Sequence, residues 1–424
     1  MINQPLLFNK DSQDLLIKLL EINTITPMET GVVSQLESAQ EIYCTHAISF
    51  GLEKIAQLSG RGNADIPLSV REKYCSLGEV FFTNQPSIVL GAGQWEDRDN
   101  TIMFNFHMDT VGPILPVKIQ NGVISGRGVI DNKGPGVAVL SAIKYWLENK
   151  ENNDNTGVLI QAVGGEEGGA MGTYGSKILF EKGYYGTLNL FVIPSEAKYY
   201  DCSTTSMTVE FTVNGNGTTD DSPWAGHNAT LILSYLTVML SKELASELNK
   251  YKVKMTVAGI HTGEMHNRVY GSGKMLINFS YHSIEDGVII EELLEGGVTK
   301  AKRYFKKQFG LLELFRVSAG DIEQILSYRW LKKGLPVLKN RNVTFEDMLA
   351  KVGIVRHVNE KQTFTCDAMW GQREDCYSIM YGPGSLELNG AHTAEEEISI
   401  EQLESFSQTI LRLLDEFSQS RNKL

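Results

Sequence analysis

The stretch Thr101-Ile102-Met103-Phe104-Asn105-Phe106-His107-Met108-Asp109 is an apolar run of strand length that ends on a histidine and an aspartate two residues apart. Side chains alternate along a strand, so His107 and Asp109 can point the same way where the strand runs out. That arrangement suits a metal site. One imidazole nitrogen binds, while Asp109 accepts a hydrogen bond from the other or buttresses the ring nearby. Further short apolar runs lie at residues 87–90, 157–163 and 188–193, separated in places by helical segments such as 136–149. An amphipathic helix is predicted over 11–21, with Asp11 placed to cap it. Strands alternating with helices predict an α/β fold with a sheet flanked by helices.

Four further motifs carry side chains with chemistry. Gly126-Arg127-Gly128-Val129-Ile130-Asp131-Asn132-Lys133-Gly134-Pro135-Gly136 is Gly-rich and opens into a helix. Its spacing matches neither GxxxxGK[ST] nor GxGxxG, which argues against a phosphate loop. A carboxylate in such a turn can instead bridge two cations with its two oxygens. Gly164-Gly165-Glu166-Glu167-Gly168-Gly169 sets two carboxylates side by side after an apolar run. Such a pair is electrostatically awkward unless a cation or proton offsets it. It suggests divided labour, one carboxylate binding metal and its neighbour accepting a proton from water. Ile193-Pro194-Ser195-Glu196 places another carboxylate past an apolar run, and Gly382-Pro383-Gly384 precedes Ala391-His392-Thr393-Ala394-Glu395-Glu396 before a final helix at 400–417. Glu395 and Glu396 read as residues that cap or flank this helix. Four of the five motifs directly follow strand-like runs, and ligands of open α/β sheets gather beyond the carboxyl ends of the strands. No GxSxG elbow occurs and no cysteine sits in an activating setting, so a serine or cysteine nucleophile has little support.

From residue 206 the pattern changes to strand 206–213, helix 229–248, strands 252–258 and 274–281, helix 289–307 and strand 311–317. That order is β-α-β-β-α-β, a ferredoxin-like α+β unit. Residues 206–319 therefore read as a small domain inserted into a larger one made of 1–205 and 320–424. The segment 364–370 reads as a core strand and turn.

Composition bounds the partners. With 39 Lys and Arg against 51 Asp and Glu, the net charge of −12 repels a phosphate backbone, so nucleic acid is an unexpected partner. No run reaches the roughly 18 apolar residues of a membrane span, and the N-terminal region lacks the pattern of an export signal. Five scattered cysteines without a CxxC pair indicate neither a disulfide framework nor a thiolate metal site. A cytoplasmic globular protein is expected, with any metal held by histidines and carboxylates.

Together, His107-x-Asp109, Gly126-Arg127-Gly128 with Asp131-x-Lys133-Gly134, Glu166-Glu167, Glu196, and Gly382-Pro383-Gly384 followed by His392 carry a family resemblance. The chain resembles the co-catalytic di-zinc aminoacylase and carboxypeptidase family, which includes acetylornithine deacetylase, succinyl-diaminopimelate desuccinylase, bacterial glutamate carboxypeptidase and carnosine-type dipeptidases. The resemblance covers nearly the whole chain. It implies a zinc-peptidase-like catalytic domain with a mixed sheet and an inserted lid and dimerisation domain. It further implies two Zn2+ (Co2+ or Mn2+ also suit the donors), with Asp131 bridging, His107 and Glu196 completing one site, and Glu167 and His392 the other.

On the same resemblance Glu166 is the catalytic base that takes a proton from a metal-activated water, and Asp109 supports His107. His227, in Gly226-His227-Asn228 of a partner subunit, is implied as an oxyanion donor, and Asn267 as a substrate contact. Two departures stand out. The family's carboxylate-binding arginine is replaced by Ser280-Tyr281-His282, and its Asn-x-Val-Pro becomes Asn267-Arg268-Val269-Tyr270, leaving Arg268 or His282 to take over. The expected activity is deacylation of an N-acyl amino acid or related N-acyl amine by a cytoplasmic homodimer. Dipeptidase or carboxypeptidase action remains open, Gly134-Pro135 resembling the dipeptidase branch, as does a catalytically silent scaffold.

Overall fold

The apolar runs pair into a six-stranded sheet. In spatial order its strands are Glu53–Leu58, Ser87–Ala92, Gly157–Val163, Thr101–His107, Leu188–Phe191 and Tyr377–Met380. The first two are antiparallel to their neighbours, and the last four run parallel, so the sheet is mixed. Parallel strands are covered on both faces, and this one reads accordingly: Phe104, Phe106, Ile160, Leu188 and Ile379 are all buried. The buried polar pair Asn105 and Gln161, opposite one another in the register, is satisfied by a 2.7 Å side-chain hydrogen bond. The computed structural model describes residues 5–60, 66–150, 156–358 and 363–421.

Two helices, Lys133–Asn149 and Ile400–Arg421, join the same core through Val137, Ile143, Leu403, Leu413 and Phe417. The first helix of the chain, Lys10–Leu20, buries Leu15, Leu16, Leu19 and Leu20 on one stripe. Its cap is Asn9, whose side chain accepts from the amides of Asp11 and Ser12, rather than Asp11 itself.

The chain divides into two compact units, residues 1–203 with 338–424 and residues 204–337. In the second, the strands Lys254–His261, Ser272–Tyr281, Thr205–Asn214 and Leu326–Lys332 form an antiparallel sheet in that order, with helices Ala229–Lys250 and Ile284–Phe309. This is the ferredoxin-like order, closed by a different fourth strand from the one expected. Residues 311–317 are not a strand: a 3-10 turn, Glu313–Phe315, leads into helix Arg316–Ile325, and Leu311 is 94% exposed. The true last strand, Leu326–Lys332, pairs along Thr205–Asn214, which carries the second unit past 319 to 337. Its charged, weakly alternating sequence suits a sheet edge, where Arg329 pairs with Glu210 at 2.8 Å.

Among the described residues, no helix is long and apolar enough to cross a membrane. All five cysteines are free.

Candidate metal and catalytic centre

The four parallel strands end at one edge of the sheet, and each releases a loop that carries a motif. His107 stands opposite Val163 in the register, and the Met108 amide donates to the Val163 carbonyl at 2.8 Å. The segments bearing Asp109 and Glu166-Glu167 therefore leave side by side. Leu188–Phe191 leads to Glu196, and Tyr377–Met380 leads to Gly382-Pro383-Gly384 and His392. Asp131 lies just before helix Lys133–Asn149.

These loops bring four expected ligands together. His107 Nε2 meets Asp131 Oδ1 at 3.0 Å, and His392 Nε2 meets Asp131 Oδ2 at 3.0 Å and Glu167 Oε1 at 3.1 Å. Asp131, Glu167 and His392 form one group whose donor atoms lie within 4.8 Å of one another, and His107, Glu166 and Glu167 form another. His107, Asp131 and Glu167 are buried, while the His392 side chain is half exposed.

Asp109 supports the site differently from the expectation. The His107 Nδ1 donates to its backbone carbonyl at 2.9 Å, and the carboxylate lies 3.8 Å from that nitrogen. The carboxylate instead accepts the amides of Glu167 at 3.0 Å and Glu166 at 3.4 Å. Asp109 thus orients the histidine with its main chain and the paired glutamates with its side chain.

Glu196 belongs to neither three-residue group. It is exposed, has φ +56°, and is tied to the Gly382–Gly384 segment by its amide, which donates to the Gly384 carbonyl at 2.6 Å. It borders a cavity of about 500 Å³ shared with Tyr381, Pro383, Gly384, Leu388 and Phe406. His227, Asn267, Arg268 and His282 all lie in the second unit. There His227 is buried, its Nδ1 accepting from the Asn216 amide at 2.8 Å, which leaves Nε2 to donate to Asp321 at 3.1 Å. Asn267 and Arg268 are exposed.

Electrostatics favour a cation at the cluster. Burial works to lower the His107 pKa, but the hydrogen bond and charge of Asp131, then the charges of Glu166 and Asp109, hold it well above the ordinary histidine value. Hydrogen bonds to Asp131 and Glu167 raise His392 to about 10. Burial raises Asp131 as well, yet its two histidine partners win and hold its carboxyl below the usual range. Glu166 is raised well above its ordinary value by burial, with Glu167, Asp367 and Asp131 adding to the rise and His107 opposing it. Burial likewise raises Glu167 and Asp109. Nearby cations are engaged elsewhere: Lys133 Nζ donates to the carbonyls of Leu19 (2.8 Å) and Ile22 (3.3 Å), and Arg127 pairs with Glu396. Buried carboxylates gathered around imidazoles, with no thiolate, fit divalent metal as their compensating charge.

Sequence reasoning missed two buried acids. Glu396 is 1% exposed and accepts from Arg127 and the turn preceding Asp131; it does not cap the last helix, from which the strand Glu397–Ser399 separates it. Asp367 opens a 3-10 turn, Asp367–Gly371, in the segment expected as strand and turn; it is buried, accepts from Ser176, and is pushed up to about 6 by burial. An acidic residue in an unremarkable run gives no local signal of burial.

A mixed sheet that collects histidines and carboxylates beyond its parallel strand ends defines a metallohydrolase-type α/β centre. Residues 103–416 match the pattern of Peptidase family M20/M25/M40, and the chain belongs to that family. A LysW-lysine/LysW-ornithine hydrolase of Saccharolobus solfataricus is 24% identical over 342 residues, 78% of this chain and 84% of the relative. Its Saccharolobus islandicus counterpart is 34% identical over 86 residues, 20% of this chain and 21% of that protein. The first curated relatives are thus matched over about a fifth of their length. In fold, an M20 family metallo-carboxypeptidase from Sulfolobus solfataricus superposes with a TM-score of 0.68 at 13% identity, covering 97% of this chain and 100% of the other.

Proposed function

We propose that this chain is a zinc-dependent amide hydrolase that removes the acyl group from an N-acyl amino acid or related N-acyl amine. The observation that carries this reading is the meeting of His107, Asp131, Glu167 and His392 in two three-donor groups that also include Glu166. Asp131 would bridge two ions, His107 and Glu196 completing one set of ligands and Glu167 and His392 the other. When bound, the pair of ions supplies Lewis acidity for an amide carbonyl and lowers the pKa of a water. Zinc suits two imidazoles with carboxylates, and cobalt or manganese fit the same donors. Glu166, next in sequence to a ligand, takes the water proton on a carboxylate oxygen and returns it to the leaving amine nitrogen. Asp109 holds the amides of Glu166 and Glu167 and, through its carbonyl, the His107 ring.

The same reading makes the 204–337 unit a lid and dimerisation domain of a homodimer, with His227 of a second copy as oxyanion donor. Asn267, Arg268 and His282 would be its substrate contacts. Relatives named as LysW-lysine/LysW-ornithine hydrolases support hydrolysis as the reaction, and the metallo-carboxypeptidase of like fold keeps a peptidase substrate in view. The free cysteines accord with a cytoplasmic setting.

The test is a mixed panel of N-acyl amino acids and dipeptides incubated with the zinc-loaded protein, released amines being read by mass spectrometry beside a chelated control. Chelator-sensitive amine release supports the reading and shows which side of the amide is recognised. Zinc binding without release from any member of the panel would overturn the proposed substrate class.

A further inference from the structure

The buried pair Arg127 and Glu396 has a geometry that a simple ion pair does not need. Glu396 Oε2 accepts from Arg127 Nη1 at 2.5 Å, while Oε1 faces three amides of one turn: Gly128 at 2.9 Å, Ile130 at 3.3 Å and Asp131 at 3.4 Å. The Glu396 carbonyl also accepts the Gly126 amide at 3.2 Å. The acid therefore gathers the whole turn that delivers Asp131. Arg127 works in the other direction. Its Nη2 donates to the Thr393 carbonyl at 3.0 Å, one residue beyond His392, and its remaining donors reach the carbonyls of Pro113 (3.2 Å) and Gly112 (3.4 Å). Both side chains are nearly fully buried, at 4% and 1% exposure.

We propose that Glu396, buttressed by Arg127, is a positioning residue that holds Asp131 and His392 at their mutual separation, so that segments 261 residues apart present a preformed cation site. A carboxylate that accepts several main-chain amides fixes the local backbone more tightly than a side-chain pair alone, because each bond is charge-assisted. Outer partners of this kind tune metal affinity by about 10- to 100-fold. The inference rests on the metal reading above, and it adds a role that none of the ligands fills. Without the anchor, Asp131 and His392 remain present but must be ordered by the metal itself, and affinity falls.

The experiment compares the full-length chain with Arg127→Met/Glu396→Met, Arg127→Gln/Glu396→Gln and Glu396→Asp. Zinc affinity and stoichiometry are read by chelator competition, and metal-free melting is read by circular dichroism. Replacing both members of a buried ion pair by apolar groups is often tolerated by the fold. The Met pair removes the amide acceptor and should bind zinc about 10- to 100-fold more weakly, with a cooperative metal-free melt retained. The Gln pair keeps an acceptor oxygen without the charge and should recover most of that loss. Glu396→Asp keeps the charge for Arg127 but shortens the reach to the amides; it should weaken zinc binding and reads the same point should the Met pair fail to fold. Wild-type zinc affinity in the folded Met pair, or in Glu396→Asp should the Met pair not fold, would overturn the inference alone. A wild-type chain that binds no zinc would remove the metal reading and this inference together.

Discussion

Metal binding to this centre should be steeply linked to pH. In the metal-free protein His107 donates from both ring nitrogens, to the Asp109 carbonyl and to Asp131, and His392 Nε2 faces two carboxylates. Accordingly His107 is held well above the ordinary histidine range and His392 is raised to about 10. His392, raised to about 10, is then imidazolium at pH 7 to 8.5, and His107 is shifted in the same direction, yet a metal requires the neutral ring. The His392 proton must leave when the cluster fills, and any proton held on His107 or Glu167 adds to that number. Each released proton changes the binding constant about tenfold, or about 1.4 kcal/mol, per pH unit, so the His392 proton alone makes affinity pH-dependent and every further proton steepens the slope by the same factor. The sign is fixed: affinity rises as pH rises, because proton competition weakens. Histidines of ordinary pKa, about 6.5, would be largely neutral across the same range and leave affinity almost flat. Isothermal titration of chelated protein with zinc, in buffers of differing ionisation enthalpy between pH 7 and 8.5, counts the protons directly. Fewer than one proton released, with affinity constant across that range, would refute the argument.

Glu166→Gln should keep zinc stoichiometry while lowering turnover by about 10²- to 10⁴-fold, and loss of the metal as well would show that Glu166 is itself a ligand. Gly172→Ala should disturb the loop that follows the paired glutamates: φ is +65°, and an added Cβ would lie 2.5 Å from the Asp367 Cβ. A left-handed alanine costs about 1–2 kcal/mol before the clash is counted, so a melting temperature equal to wild type would contradict the packing described. In metal-free protein the contribution of His392 is fully present below its unfolded pKa of about 6.5 and is lost as pH rises through about 10. The melting difference between wild type and His392→Asn should therefore shrink across that window; a constant difference would separate His392 from its carboxylate partners. Zinc held at 100 times its dissociation constant should add about 2.7 kcal/mol to stability, readable as a chelator-sensitive upward shift in melting.

Much of the site is legible in the chain because its information is local. The run 101–109 shows both that a strand forms and that His107 sits at its end; Gly157–Val163 does the same for Glu166 and Glu167. Once strands of this kind lie parallel, their carboxyl ends share an edge, so separate motifs converge without further information. In the second unit the βαββ portion is equally legible: Met207, Val209, Phe211 and Val213 alternate with polar residues along Thr205–Asn214, and Ser272–Tyr281 alternates in burial.

Other features depend on pairings that no local pattern encodes. The exposed leucines at 311, 312 and 314 imitate a strand, whereas Leu326–Lys332 is a strand only because Thr205–Asn214 offers it an edge. Asp109 resembles a histidine's carboxylate partner, but register brings its oxygens to the amides of Glu166 and Glu167, 57 and 58 residues away. Glu396 looks like a helix-flanking acid; burial beside Arg127, 269 residues earlier in the chain, makes it the anchor of the Asp131 turn. What the amino-acid sequence determines by itself is the chemistry available and the strand ends that present it, because periodicity and residue type are local. Which carboxylate meets a histidine, which holds main-chain amides and which pairs with an arginine is decided by the tertiary structure, because desolvation and hydrogen-bond geometry arise only when distant segments close around one another.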